Sequence, residues 1–334
     1  MKYLLTLLVA VALAGEAQAQ YASGLWTNGL ASVRSGTNVV NEIWRGTNAL
    51  YAPPATYQVT TTNTTTASTN TITLAFSAPT QIDWGDGTVE TKSNTNNVAI
   101  THVYAATGTY TVAILQPLNV RTFNSSDAKV TLHSANVKGM RFVTDFRLTT
   151  AKAGTFNSSD VSAWRPTSFY MSSMPTGYAG TFDSSDVSAW RPTSFYMYLM
   201  PAGYAGTFNS TDVSAWRPTI FALYSMPTGY VHTIAANSYT NFITCNNFRM
   251  EANALTTAQV DLILQDLYVA AKSRTATAGT INVGGSNQAP SGTLQACAAP
   301  PVTNTTPGKE VAYELVNDSL NAIINHWTTV TITP

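Results

Sequence analysis

Carboxylates and histidines are where chemistry would be sought first in this 334-residue chain. Asp83, Asp86 and Glu90 sit together in the stretch IDWGDGTVE, Ile82 to Glu90. Oxygen ligands so closely spaced are what a Ca²⁺ loop uses. The same Gly-Asp-Gly sequence equally makes a tight turn in which Asp86 bonds its own backbone, and that structural role is the expected one. The histidines, His102, His133, His232 and His326, are scattered along the chain. No H-E-x-x-H, G-x-S-x-G, phosphate-loop or dinucleotide fingerprint accompanies them. A Ser-His-Asp set is spatial, and nothing in the residue order points to one. The expectation is no enzyme, no catalytic residue, no metal site and no cofactor.

The side chains that do recur are aromatic. The stretch AGTFNSSDVSAWRPTSFYMSSMPTGY (153–178) returns at 179–204 and again at 205–230, a period of 26 residues. The second copy differs from the first at four positions and the third at five. Phe169, Phe195 and Phe221 do not change, nor do Met174, Met200 and Met226. The changes gather between them: Tyr170 becomes Tyr196 and Ala222, Ser172 becomes Tyr198 and Tyr224, and Ser173 becomes Leu199 and Ser225. Side chains alternate between the faces of a strand, so Phe169 and Met171 face a core and the residues between them face solvent. Tyrosine is costly on a solvated face and useful in a binding one, being large, amphipathic and stiff. Free drift after duplication is the competing account, but it leaves unexplained why Ser162, Arg165 and Thr167 stay fixed. Tyr170, Tyr196, Tyr198 and Tyr224, flanked by Arg147, Arg249 and Glu251, are therefore the candidate ligand-binding residues. Flat aromatics beside a few polar groups suit carbohydrate or another protein.

One unit cannot bury its own apolar face, but stacked units share a core. Aligning on the Phe that opens each strand gives Phe146, Phe169, Phe195, Phe221 and Phe248, spaced 23, 26, 26 and 27 apart. These strands are expected parallel and in register. Ser158 is a candidate cap for a short helical segment ending before Arg165-Pro166. Each coil then reads as strand, turn and one helical turn. The columns Asp160, Asp186, Asp212 and Arg165, Arg191, Arg217 read as structural, their opposite charges offsetting each other. Trp164, Trp190 and Trp216 read as a core ladder.

The rest of the chain frames this array. MKYLLTLLVAVALAGEAQAQ has a positive start, an apolar run and a small-residue site at Ala17-Gln18-Ala19. It reads as a secretory signal over 1–19, or else as a retained helix that anchors or assembles. A secreted or cell-surface location follows, with no membrane span after cleavage. In such a chain Cys245 and Cys297 are expected to form a disulfide pinning the C-terminal part to the repeats, the alternative being two buried thiols. Charged residues make up 10% and the formal net charge is zero, which argues against a nucleic-acid partner. Thr256 and Gln259 form a capping box for a helix bearing Val260, Ile263, Leu264, Leu267 and Ala271 on one face. A second helix is expected from Thr306-Pro307 to about Asn325, and a strand over Trp327–Thr333.

Three resemblances accompany these readings. Residues 35–53, with Val40, Ile43 and Leu50 between Gly turns, form a hairpin-like segment within 20–54 that weakly resembles phage tail-associated proteins. IDWGDGTVE followed by THVYAATGTYTVAIL, Thr101 to Leu115, resembles PKD-type immunoglobulin-like domains, implying a β-sandwich over 55–116 that serves as a spacer or adhesion module. Repeats 153–178, 179–204 and 205–230, with FRMEANAL (248–255), resemble divergent leucine-rich-repeat arrays of bacterial surface proteins, here with Met at the usual Asn position. The whole is expected to be mainly β with short helices: a small β-sandwich, a leucine-rich-repeat-like solenoid over 117–255 and an α/β C-terminal cap over 256–334. The leading function is non-enzymatic adhesion or ligand binding through a concave solenoid face. The alternative is a self-associating subunit of an extracellular filament, coat or virion appendage.

Overall fold

The structure, a computed structural model, describes residues 33–35, 38–40, 43–45, 48–62, 68–298, 302–318, 320, 323 and 325–334. The signal-like segment lies outside them. Four short strands, β1 (Val33–Ser35), β2 (Asn38–Val40), β3 (Ile43–Arg45) and β4 (Asn48–Tyr51), form two antiparallel pairs, β1 with β2 and β3 with β4.

Six further strands follow: β5 (Ala55–Thr61), β6 (Ser68–Phe76), β7 (Thr80–Asp83), β8 (Val89–Lys92), β9 (Val98–Tyr104) and β10 (Gly108–Ile114). Alternating apolar residues explain their pairing: Tyr57, Val59, Ile72, Leu74, Ile82, Ile100, Val112 and Ile114 are all buried. All pairings among them are antiparallel.

From β11 (Val120–Ser125) and β12 (Val130–His133) to the end of the repeats the chain alternates between two sheets. A one-turn helix α1 (Ser134–Val137) leads to β13 (Asp145–Leu148) and β14 (Ala153–Thr155). The exact repeats supply β15 (Ser168–Ser172), β16 (Tyr178–Thr181), β17 (Ser194–Tyr198), β18 (Tyr204–Asn209), β19 (Ile220–Tyr224) and β20 (Tyr230–Thr233). Short 3-10 turns, Ser158–Val161, Ser184–Val187 and Ser210–Val213, separate them. Then come β21 (Asn247–Arg249), α2 (Thr257–Ala271), β22 (Thr280–Asn282), α3 (Gly308–Asn317) and β23 (Thr329–Thr331).

The result is mainly β, with few helices and two large open sheets. One has ten strands in the order β23-β22-β21-β19-β17-β15-β13-β11-β6-β9. The other has nine, β20-β18-β16-β14-β12-β5-β10-β7-β8. Both continue across Gln116: β11 pairs antiparallel with β6, and β12 with β5. Strands of the antiparallel N-terminal part and of the parallel repeats thus belong to the same sheets.

In the ten-stranded sheet Phe146, Phe169, Phe195, Phe221 and Phe248 are direct partners in parallel pairs. Their rings stack at 5.5–5.7 Å, and Phe123 of β11 adds a sixth rung 5.7 Å from Phe146. Trp164, Trp190 and Trp216 are buried behind them, each ring 5.1–5.3 Å from a Phe of the ladder.

Sequence reading missed the second strand of each coil. Tyr178, Gly180 and Phe182 alternate, but glycine weakens the strand pattern. The structure shows why glycine is there. Gly180 has φ +135°, and a Cβ on it would stand 2.2 Å from the Phe156 carbonyl oxygen.

Three corrections concern the turns and the C-terminal part. Ser158 does not cap its own segment; it bonds the next coil, as described below. The last helix stops at Asn317, where Asp318 turns left-handed (φ 44°), instead of running to Asn325. The expected last strand over Trp327–Thr333 narrows to Thr329–Thr331, which pairs parallel with β22 and extends the ten-stranded sheet. The capping box is present as expected, Thr256 and Gln259 each bonding the other's backbone.

Candidate functional site

Six of the seven candidate residues lie on five strands of the ten-stranded sheet and meet on its outer face; Glu251 follows the last of them, β21. Parallel pairing sets Arg147 (β13) beside Tyr170 (β15), Tyr170 beside Tyr196 (β17), Tyr196 beside Ala222 (β19) and Ala222 beside Arg249 (β21). Two residues on, Ser172, Tyr198 and Tyr224 form a second row. In-register pairing stacks like side chains, so the tyrosines contact one another. Tyr170 and Tyr196 rings lie 4.8 Å apart, and Tyr198 and Tyr224 stack at 4.5 Å with planes 9° apart. Tyr170 meets Tyr198 edge-on at 5.7 Å, and their hydroxyls are hydrogen-bonded.

Charged groups close one end. The Arg249 guanidinium lies 3.9 Å from the centre of the Tyr224 ring, and its Nη1 donates to the Tyr224 hydroxyl at 3.3 Å. Arg249 Nη2 is paired with Glu251 Oε1. Glu251 is 8% exposed, so it anchors Arg249 from below rather than flanking the face. At the other end Arg147 Nε donates to Asp145 Oδ1 at 2.9 Å.

These contacts change what the face can do. Ring faces that stack on each other, or under Arg249, are not a flat platform. The faces of Tyr198 and Tyr224 are taken up by each other and by Arg249, whereas Tyr170 and Tyr196 meet at a tilt of 40°. Partial burial, together with the bond to the Tyr198 hydroxyl, pushes the Tyr170 phenol up to about 12. Burial also raises Tyr224 to about 12 against the opposing pull of Arg249. Tyr170 and Tyr224 are thus neutral donors and acceptors throughout the physiological range.

The Asp83–Glu90 stretch is a turn. Asp83 Oδ1 accepts from the Gly85 N–H at 2.9 Å and Asp86 Oδ1 from the Thr88 N–H at 3.0 Å. Glu90 pairs with Lys92 at 2.6 Å. The sequence did not reveal the other half of the arrangement. His102 Nε2 lies 2.7 Å from Asp86 Oδ2, and its ring stacks on the buried Trp84 at 4.6 Å. Burial acts to raise the Asp86 carboxyl, but the bonds from His102 and Thr88 outweigh it and hold it below its ordinary range. Among the described residues no group of three or more His, Cys, Asp or Glu is placed to hold a metal ion.

The aspartate column belongs to a buried polar ladder. Ser134, Ser158 and Ser184 are wholly buried and donate to Asp160, Asp186 and Asp212 of the next coil at 2.5–2.6 Å. Each serine oxygen also accepts a backbone N–H, from Asn157, Asp183 and Asn209, at 2.8 Å. Ser210 continues the column to Ser238. Beyond it Asp266 of α2 accepts the N–H groups of Asn237 and Tyr239 at 2.7 and 3.1 Å. The arginines do not offset the aspartates by pairing; Arg165 and Arg191 bond carbonyls of their own turns.

Cys245 and Cys297 are free thiols, which overturns the expected disulfide. Cys245 is fully buried before β21, its Sγ 3.5 Å from the Asn247 carbonyl. Cys297 lies against α3, where its N–H donates to Glu314. Burial raises both, Cys245 to about 12 and Cys297 to about 11, so neither is a ready thiolate. Burial lowers His232 to about 4. No described helix is long and apolar enough to cross a membrane. No protein-family model matches the chain, and no curated protein or solved structure matches it.

Proposed function

We propose that this chain is an exported, non-enzymatic surface protein that attaches to a carbohydrate or protein surface through the outer tyrosine face of its repeats. On this reading residues 55–116 are a PKD-like β-sandwich spacer. The repeats are a leucine-rich-repeat-like solenoid, and 256–334 is its cap. The observation that carries the attachment is the two-row ladder Tyr170, Tyr196, Tyr198 and Tyr224, locked by mutual stacking and by Arg249–Glu251. A pre-organised set of amphipathic rings loses little entropy on binding. Because the faces of Tyr198 and Tyr224 are taken up, recognition runs through hydroxyls, ring edges and Arg249. Partners rich in hydrogen-bonding groups fit it better than ones needing an open stacking surface.

Self-assembly is the second reading. It is favoured by Val89, Val98 and Val103, 43–52% exposed, on β8 and β9, which end the two sheets on the same side. Edge strands with apolar side chains invite pairing with another chain. Purified protein screened on glycan and protein arrays, and run by size exclusion with negative-stain microscopy, tests both. A monomer retained by specific array features supports attachment. A polymer with no array ligand supports assembly.

A further inference from the structure

A row of arginines runs along another part of the molecule, in the segments that enter the strands of the ten-stranded sheet. Thr167, Thr193 and Thr219 each donate an N–H to the carbonyl of Thr144, Thr167 and Thr193 respectively, all at 2.8 Å. This locks the entry segments one strand spacing apart, about 4.8 Å. Arg165, Arg191 and Arg217 stand two residues before those threonines, so the row carries one arginine per coil. All three are exposed. Among the described residues none has a carboxylate partner. Arg165 and Arg191 each use Nη1 to bind carbonyls of their own turn, which fixes the guanidinium.

At one end the row opens on a cleft of about 460 Å³ lined by Arg121, Arg141, Phe142, Thr144 and Arg165. Among the described residues no carboxylate lines it. The Arg121 guanidinium lies 5.2 Å from the centre of the Phe142 ring, which is 41% exposed. Like charges one strand apart repel, and a chain with only 10% charged residues has had every chance to separate them. Hydrogen bonding within each turn explains one arginine; it does not explain why Arg165, Arg191 and Arg217 have no carboxylate partner among the described residues. Fixed guanidinium forks are the groups that bind carboxylate and sulfate oxygens two at a time.

We propose that the Arg165–Arg191–Arg217 row, with the Arg121–Phe142 cleft at its end, docks a linear acidic polysaccharide, its anionic groups meeting successive coils. A single-stranded nucleic acid fits less well, because such sites stack successive bases on aromatics and this row offers Phe142 alone. The site is separate from the tyrosine face and does not depend on it.

Affinity of the full chain for polygalacturonate, dextran sulfate, neutral dextran and oligothymidylate tests this, measured from about 50 to 200 mM salt. The first two probes distinguish carboxylate from sulfate. Wild type is expected to bind one or both, to ignore neutral dextran, and to lose at least about tenfold in affinity as salt rises. The variant Arg165→Gln/Arg191→Gln/Arg217→Gln should bind at least about tenfold more weakly, with a flatter salt dependence. Replacing the same three by Lys keeps the charge but loses the paired oxygen contacts, so that variant should bind measurably more weakly than wild type with a similar salt dependence; if the Gln variant misfolds, a folded Lys variant with wild-type affinity overturns the proposal. No binding of either acidic polymer by wild type at low salt overturns the proposal. So does a folded Gln variant that binds like wild type, or tighter binding of oligothymidylate than of both polysaccharides.

Discussion

Asp86 and Ser184 show two ways in which a single polar side chain fixes this fold. Asp86 closes its turn through Thr88 and ties it to β9 through His102. Its carboxyl is held below the ordinary value of 3.8, so the contribution is present above that value and lost as pH falls beneath it. Thermal melts of the full chain should show wild type losing stability below about pH 4, with Asp86→Asn less stable at neutral pH and flatter in acid. Stabilisation of wild type by calcium, abolished in that variant, would instead make the turn an ion site. Ser184 is buried between the Asn209 N–H and Asp212. Ser184→Ala strands both partners and should cost about 1–3 kcal/mol in denaturant unfolding. Of these two residues the sequence disclosed only the local half. Asp86 bonding two residues ahead is turn chemistry, visible in Gly-Asp-Gly; His102, 16 residues away, is not. Ser158 looked like a cap for the same reason, because local reasoning offers a serine its nearest backbone and not a carboxylate 28 residues on.

Among the elements, the strands of the ten-stranded sheet were the most legible. Phe-x-Met at a fixed period marks an inward face, and parallel register follows from stacking equal coils. Phe195, buried between Phe169 and Phe221, should cost roughly 3–5 kcal/mol when truncated to Ala, read by denaturant unfolding. The nine-stranded sheet was hidden because Gly154, Gly180 and Gly206 occupy the middle of its strands. Positive φ and contact with the preceding coil's carbonyl leave no room for a side chain. Gly180→Ala should therefore lower the melting temperature markedly. Gly177→Ala, where an added Cβ meets nothing within 4 Å, should stay within about 0.5 kcal/mol of wild type. Phe123 escaped notice as a rung because β11 lies outside the repeated sentence, although it stands 23 residues before Phe146.

Across the whole molecule the two sheets run without a break from the antiparallel strands into the parallel ones, and α2 and α3 take the place of the 3-10 turns in the last, longer coils. The grouping of the four tyrosines with Arg147 and Arg249 was legible because one assumption, equal coils in register, places them on one face; Glu251, buried below it, was not. Their mutual stacking was not, since sequence spacing says which residues are neighbours and not how rings tilt. That stacking is also what makes the face a candidate for recognition. Its loss should cost no more than about 1–2 kcal/mol of stability, the scale of an aromatic pair at a partly exposed site. The most direct test is the affinity of Tyr198→Ser/Tyr224→Ser, which restores the first copy's residue in both later coils, for the array ligand of the wild-type chain. The account predicts a folded monomer that binds at least about tenfold more weakly, in line with loss of an aromatic hot spot. A folded variant with wild-type affinity would contradict it and leave the tyrosine ladder as architecture alone.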